Sequence, residues 1–188
     1  HSFPTRRSSD LKFRYRTDIK ALNKFKYLLL IDIFPDWKYK KVQKLFPESK
    51  ILTWFMGLPS NYLINEKPDK TALRKQFGLP EKSRIFFSSS RLNSLKQVDR
   101  IIEGFAPVKE KDFFVIISGS GTKDYVDYLQ NLINKNELTD KIKIYGFVSE
   151  QDLIKFYHLS DCFIDASKLD GAPTAGWKAI ALGVPVLS

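Results

Sequence analysis

Cysteine is almost absent from this sequence: Cys162 stands alone among 188 residues, so no internal disulfide can form, and a reducing compartment, the cytoplasm, is the natural expectation. Histidine is nearly as scarce, with two in the chain. His158 and Cys162 sit among apolar neighbours and read as packing residues, with no cluster of ligand types at metal spacing nearby. Long apolar runs are missing too. Tyr27 to Ile31 is broken by Asp32, far short of the ~20 residues that span a bilayer. No internal repeat or low-complexity tract interrupts the chain, and 43% hydrophobic with 14% aromatic residues excludes a disordered tail. Acidic residues are outnumbered by 31 to 21, for a net charge of +10. That excess favours an anionic partner: a phosphorylated ligand, an acidic membrane surface or nucleic acid.

The first eleven residues, His1 to Leu11, have neither a hydrophobic period nor the architecture of a signal peptide. They are what a common short-read sequencing adapter encodes in one frame. We therefore exclude 1–11 from fold reasoning as an adapter artefact, which leaves 29 basic and 20 acidic residues, a net charge of +9.

From Arg84 onward, strand-like and helix-like segments alternate. Arg84-Ile-Phe-Phe-Ser-Ser89 reads as a strand; Gln97 to Phe105 places Val98, Ile101, Ile102 and Phe105 at helical spacing. Asp112 to Ser118 is a continuous apolar run, the mark of a strand buried on both faces. Asp124 to Asn134 is helical, Lys141 to Tyr145 a strand, and Ser149-Glu-Gln-Asp152 an N-cap opening another helix. Cys162 to Ala166, Thr174 to Leu182 and Val184 to Ser188 complete a strand, a helix and a strand. Such alternation implies parallel strands joined by right-handed crossovers, an α/β doubly wound sheet of Rossmann-like type. Because the chain stops at a strand, the expectation is a domain truncated at its C-terminal end.

Upstream, Phe25 to Phe34 and Lys50 to Phe55 read as strands and Asp36 to Phe46 as a basic helix. The domain organisation expected is 12–56 as the end of an N-terminal domain, 57–70 as a polar linker and 71–188 as the α/β domain. Trp37 to Phe46 is basic with aromatic neighbours, and peripheral contact with an anionic membrane is one reading of it; a solvated helix face is the commoner one. Nucleic acid ranks last, since no nucleic-acid motif accompanies the charge.

In an open parallel sheet, ligands bind at the carboxyl ends of the strands. The residues there are Ser88 to Arg91 with Lys96, Ser118 to Gly121, Gly146 to Val148, and Ser167 to Thr174. Glycine, hydroxyls and two cations suit a phosphorylated ligand. A dehydrogenase is disfavoured, because Gly119-Ser-Gly121 lacks a third glycine.

Four segments carry a resemblance. Ser90-Arg-Leu92 with Lys96 five residues after the arginine is similar to the Gly-Arg-Leu-x4-Lys segment of family 4 (group 1) glycosyltransferases of the GT-B fold. Val115 to Gly121 resembles that family's Val-Ile-x-Gly-x-Gly, Ile144 to Val148 its Phe-x-Gly-x-Val, and Ser167 to Val186 its acidic and Ala-x-Gly-x-Pro-Val block. The resemblance implies a C-terminal donor-binding domain and transfer of a sugar from a nucleotide diphosphate to a saccharide or lipid-linked acceptor. It further implies retention of configuration and no metal or other cofactor.

It also implies roles. Arg91 and Lys96 would hold the donor diphosphate, assisted by the backbone amides available along the segment Gly171, Ala172, Pro173 and Thr174, with Asp170 accepting hydrogen bonds from the sugar. Gly119 and Gly121 would line the phosphate site, although turn glycines are an equal reading of them. Phe147 would pack beside the base. Lys178 stands where the family places an acid at the nucleotide ribose, which keeps open a second reading, a non-catalytic nucleotide or nucleotide-sugar binding protein derived from such an enzyme. The family's acceptor-side residues lie in the N-terminal domain, so the expectation is that this stretch alone does not catalyse transfer.

Overall fold

The computed structural model describes residues 27–31, 40, 44, 50–54, 57–62, 68–168 and 173–188. The chain divides into two compact units, His1–Gly57 and Leu58–Ser188. Within the first, β1 (Tyr27–Ile31) and β2 (Lys50–Trp54) pair in parallel, Tyr27 opposite Lys50 and Ile31 opposite Trp54. Of the basic segment 37–46, all but Lys40 and Lys44 lies outside the described residues, and 1–11 lies wholly outside them.

The second unit holds α1 (Lys70–Gln76), β3 (Arg84–Ser89), α2 (Val98–Phe105), β4 (Phe113–Ser118), α3 (Lys123–Lys135), β5 (Ile142–Gly146), α4 (Glu150–Leu159), β6 (Cys162–Ile164), α5 (Thr174–Ala181) and β7 (Val186–Leu187). Its sheet is wholly parallel, in the order β5-β4-β3-β6-β7. The chain winds outward from β3 to β5, then crosses back to lay β6 on the other side of β3. The doubly wound expectation holds, and the winding reverses between β3 and β6. Ligands of open α/β sheets bind at such a reversal.

The apolar periodicities place the core on both faces of the sheet. On one face Val98, Ile101 and Ile102 of α2 and Leu129 and Ile133 of α3 pack against Val115 and Ile117. On the other, Phe156, Tyr157 and Leu159 of α4 and Ala179 of α5 pack against Ile85, Phe87 and Ile116. β4 contributes to both, which is why its sequence runs apolar without alternation. Each large side chain so buried contributes about 1.5–3 kcal/mol.

Two departures from the expected organisation have local causes. β6 stops at Ile164, two residues early, because Asp165 Oδ1 accepts from Ser167 N at 2.9 Å and turns the chain. Within the expected linker 57–70, Ser60–Tyr62 forms a short 3-10 turn closed by Tyr62 N to Pro59 O at 3.0 Å. Tyr62 itself is fully buried in the core of the second unit, its ring edge-on to Tyr157. The polar composition of the stretch conceals a core aromatic.

The amino edge of the sheet is closed by α1. Arg74, 7% exposed, donates to Leu159 O, Glu81 O and Ser83 O and pairs with Asp161 at 2.7 Å. Asp161 in turn accepts from Ile85 N and Lys70 Nζ. Burial alone would raise the Asp161 carboxyl, but the Ile85 amide, Lys70 and Arg74 outweigh it and hold its pKa below the ordinary value.

Candidate functional site

At the carboxyl edge the loops after β3, β4 and β5 are joined backbone to backbone. Ser90 N donates to Ser118 O at 3.1 Å, Leu92 N to Ser120 O at 2.8 Å, and Gly119 N to Gly146 O at 2.8 Å. Leu92 and Gly121 form a parallel bridge. Approach this close requires glycine. A Cβ on Gly119, whose φ is +140°, would stand 1.7 Å from Ser90 O, and one on Gly121 would stand 2.2 Å from Leu92 O. Gly119 and Gly121, which the resemblance sets at the phosphate site and which read equally as turn glycines, form the seam beneath the Arg91 loop. Gly119 offers a ligand no amide, since its N–H is already donated.

The seam carries Arg91, which is exposed and makes no side-chain hydrogen bond or ion pair among the described residues. Beyond it, Asn93 Oδ1 accepts from Leu95 N at 3.1 Å and Lys96 N at 3.2 Å, folding the loop back towards α2. Gln97 follows with a left-handed φ of 47°, uncommon for a residue with a side chain. Lys96 is thus set between an Asx turn and a left-handed residue, half-buried. Across the reversal point, Lys168 N donates to Leu95 O at 2.9 Å and ties the loop after β6 to the loop after β3. Asp170, Gly171 and Ala172 lie outside the described residues. Pro173 and Thr174, both half-buried, begin α5.

Helix capping separates two helices from the rest of the unit. Asp69 caps α1, Thr122 caps α3 and Ser149 caps α4, each accepting from an amide of the first turn. Among the described residues, α2 and α5 have no side-chain cap. They are the helices that follow β3 and β6, the two strands at the reversal. Uncapped amides carry partial positive charge and receive anions.

The loop after β5 presents Phe147, 84% exposed, an apolar ring left in solvent on the same edge. Lys178 is neither a solvated helix residue nor open to a ligand on all sides. Its Nζ lies 3.0 Å from Glu150 Oε1 and 4.4 Å from the Tyr62 ring centroid, and its side chain is 19% exposed. Tyr62 Oη donates to the same Glu150 Oε1 at 2.5 Å. That hydrogen bond, with a smaller contribution from Lys178, holds the Glu150 carboxyl below the usual carboxylate range despite partial burial. Burial and the neighbouring carboxylate push the Tyr62 hydroxyl well up. Sequence reasoning gave Glu150 no role beyond its place in the capped turn Ser149 to Asp152. The signal available was a cation on α5 in need of a counter-charge.

Among the described residues, no three His, Cys, Asp or Glu side chains converge as metal ligands, and no helix is long and apolar enough to cross a membrane.

A family model described as glycosyl transferases group 1 matches residues 69–188. The chain belongs to this family. An uncharacterized glycosyltransferase of Methanocaldococcus jannaschii is 26% identical over 184 residues, which cover 92% of this chain and 46% of that one. Alpha-monoglucosyldiacylglycerol synthase of Streptococcus pneumoniae is 24% identical over 157 residues, 84% of this chain and 34% of the other. The chain thus spans about half the length of the first of these relatives and a third of the second. Among solved structures, Anabaena HepE in complex with UDP and glucose superposes with a TM-score of 0.75 at 19% identity, covering 93% of this chain and 47% of that one. At that identity the likeness shows the fold: this group 1 glycosyltransferase chain carries the Rossmann-like domain of the GT-B architecture.

Proposed function

We propose that this chain is the donor-binding part of a glycosyltransferase that moves a sugar from a nucleoside diphosphate to a saccharide or lipid-linked acceptor. The observation that carries the reading is the pair of helix starts, α2 and α5, that flank the reversal point without a side-chain cap among the described residues, with exposed Arg91 in the loop after β3. Family membership supports it, and so do the UDP and glucose bound to HepE and the glycolipid named for the pneumococcal relative.

In this reading the diphosphate lies against the start of α5 and receives Arg91 and Lys96, whose charges offset the negative charge that grows as the nucleotide leaves. Pro173 contributes no N–H, so the amides belong to Thr174 and the residues flanking it. Asp170 accepts from the transferred sugar, and Phe147 packs beside the base. Transfer is retaining and needs no metal, so in the complete enzyme turnover persists after EDTA treatment and dialysis; dependence on added Mg2+ or Mn2+ overturns that part. The chain acts in the cytoplasm, with a lipid-linked acceptor reached at the membrane face.

The test is calorimetric titration of UDP, GDP and ADP into the folded chain. One of the three binds, and Arg91→Ala weakens that binding about tenfold. In the complete enzyme Arg91→Ala lowers kcat/KM by about 100-fold or more. Near-normal turnover overturns the role of Arg91.

A further inference from the structure

The Tyr62–Glu150–Lys178 cluster serves no purpose in the reading above, yet it stands on the ligand edge and is built with care. Glu150 opens α4 three residues after the exposed Phe147. Its Oε1 is fixed from two directions, by Tyr62 Oη at 2.5 Å and Lys178 Nζ at 3.0 Å. Oε2 receives no hydrogen bond among the described residues, and the side chain is 50% exposed. The carboxylate is therefore anchored through one oxygen and presents the other. An ionised carboxylate only accepts, so the group it is built to meet is a donor. Lys178 lies four residues into α5 from Thr174, one helical turn or about 6 Å along the axis from the anion-receiving start. A ligand with its phosphates at that start and a ring against Phe147 carries its sugar hydroxyls past this point.

We propose that Glu150 is the acceptor for the ribose hydroxyls of the donor nucleotide, with Tyr62 and Lys178 as positioning residues that hold its carboxylate. This rests on the donor-site reading. A surface ion pair alone does not account for the arrangement, because a buried tyrosine hydroxyl is aimed at the same oxygen as the lysine. The cluster makes Lys178 part of ribose recognition through Glu150, without direct contact with the nucleotide.

The experiment is calorimetry on the full chain with UDP, GDP and ADP and with the 2′-deoxy and 3′-deoxy forms of whichever binds. The parent chain binds the ribonucleotide about tenfold more tightly than at least one deoxy form. In Glu150→Ala that ratio falls to within about twofold, and in Tyr62→Phe and Lys178→Met it falls part-way, with circular dichroism unchanged. The ratio reports on the hydroxyl contact alone, so a purely structural role for the cluster leaves it unmoved. If Glu150→Ala fails to fold, Tyr62→Phe, which keeps the ring, reads the same ratio. A parent chain that binds nucleotide without distinguishing the deoxy forms overturns the proposal and leaves the donor site standing. So does a full ratio retained in Glu150→Ala. A folded chain that binds none of the three nucleotides overturns the donor-site reading, and this proposal with it.

Discussion

Gly119 and Gly176 look alike in the sequence and differ in what surrounds them. A methyl on Gly119 runs into the Ser90 carbonyl at 1.7 Å, and its φ of +140° is one that a side chain rarely tolerates. Backbone cannot step aside as a side-chain tip can, so Gly119→Ala should cost at least about 3 kcal/mol in urea denaturation. A methyl on Gly176 meets nothing nearer than Val186 Cγ1 at 3.9 Å, and the residue lies within α5. There Gly176→Ala should be neutral or stabilise by up to about 1 kcal/mol, because alanine loses less entropy on entering a helix. A loss comparable to that of Gly119→Ala would refute the ordinary-contact reading of that site.

Among elements, α1 depends most on charge. Its Arg74 reaches three carbonyls and Asp161, and Lys70 reaches Ser160 O and the same carboxylate. Arg74→Ala takes the guanidinium from those carbonyls and leaves Asp161 with Ile85 N and Lys70 alone, and should cost about 3–5 kcal/mol. The folded pKa of Asp161 lies below its unfolded value near 3.9. Its contribution is therefore complete above the unfolded pKa and is lost as pH falls through the folded one. Stability against urea should decline on acidification below about pH 4, and Asp161→Asn should flatten that part of the curve. An unchanged slope would show that the carboxylate is not linked to folding. The capped and uncapped helices were only half legible. Ser149 announced itself three residues before an acid, but the missing caps of α2 and α5 acquire meaning only beside β3 and β6.

For the whole molecule, the boundary of the second unit has a direct consequence. A chain from 71 to 188 contains every segment of family resemblance, yet it lacks Tyr62, Asp69 and Lys70. Those supply a core aromatic, the α1 cap and an α1 anchor. The chain 58–188 should melt cooperatively, and 71–188 should be less stable by at least about 3 kcal/mol or fail to fold. Equal stability of the two would show that the Tyr62 turn adds nothing to the core.

The sequence by itself determined the alternation of strands and helices, their parallel winding, and the edge where chemistry gathers. Periodicity, strand runs and glycine positions depend on neighbours along the chain, and these are written in order. What only the tertiary structure decided is which of those residues meet. It joined Gly119 and Gly121 to Ser90 and Leu92 in a backbone seam, drew Tyr62 out of an apparent linker into the core, and joined Lys178 to Glu150, 28 residues away. Those partnerships depend on how layers stack across the sheet, and no local spacing encodes that distance.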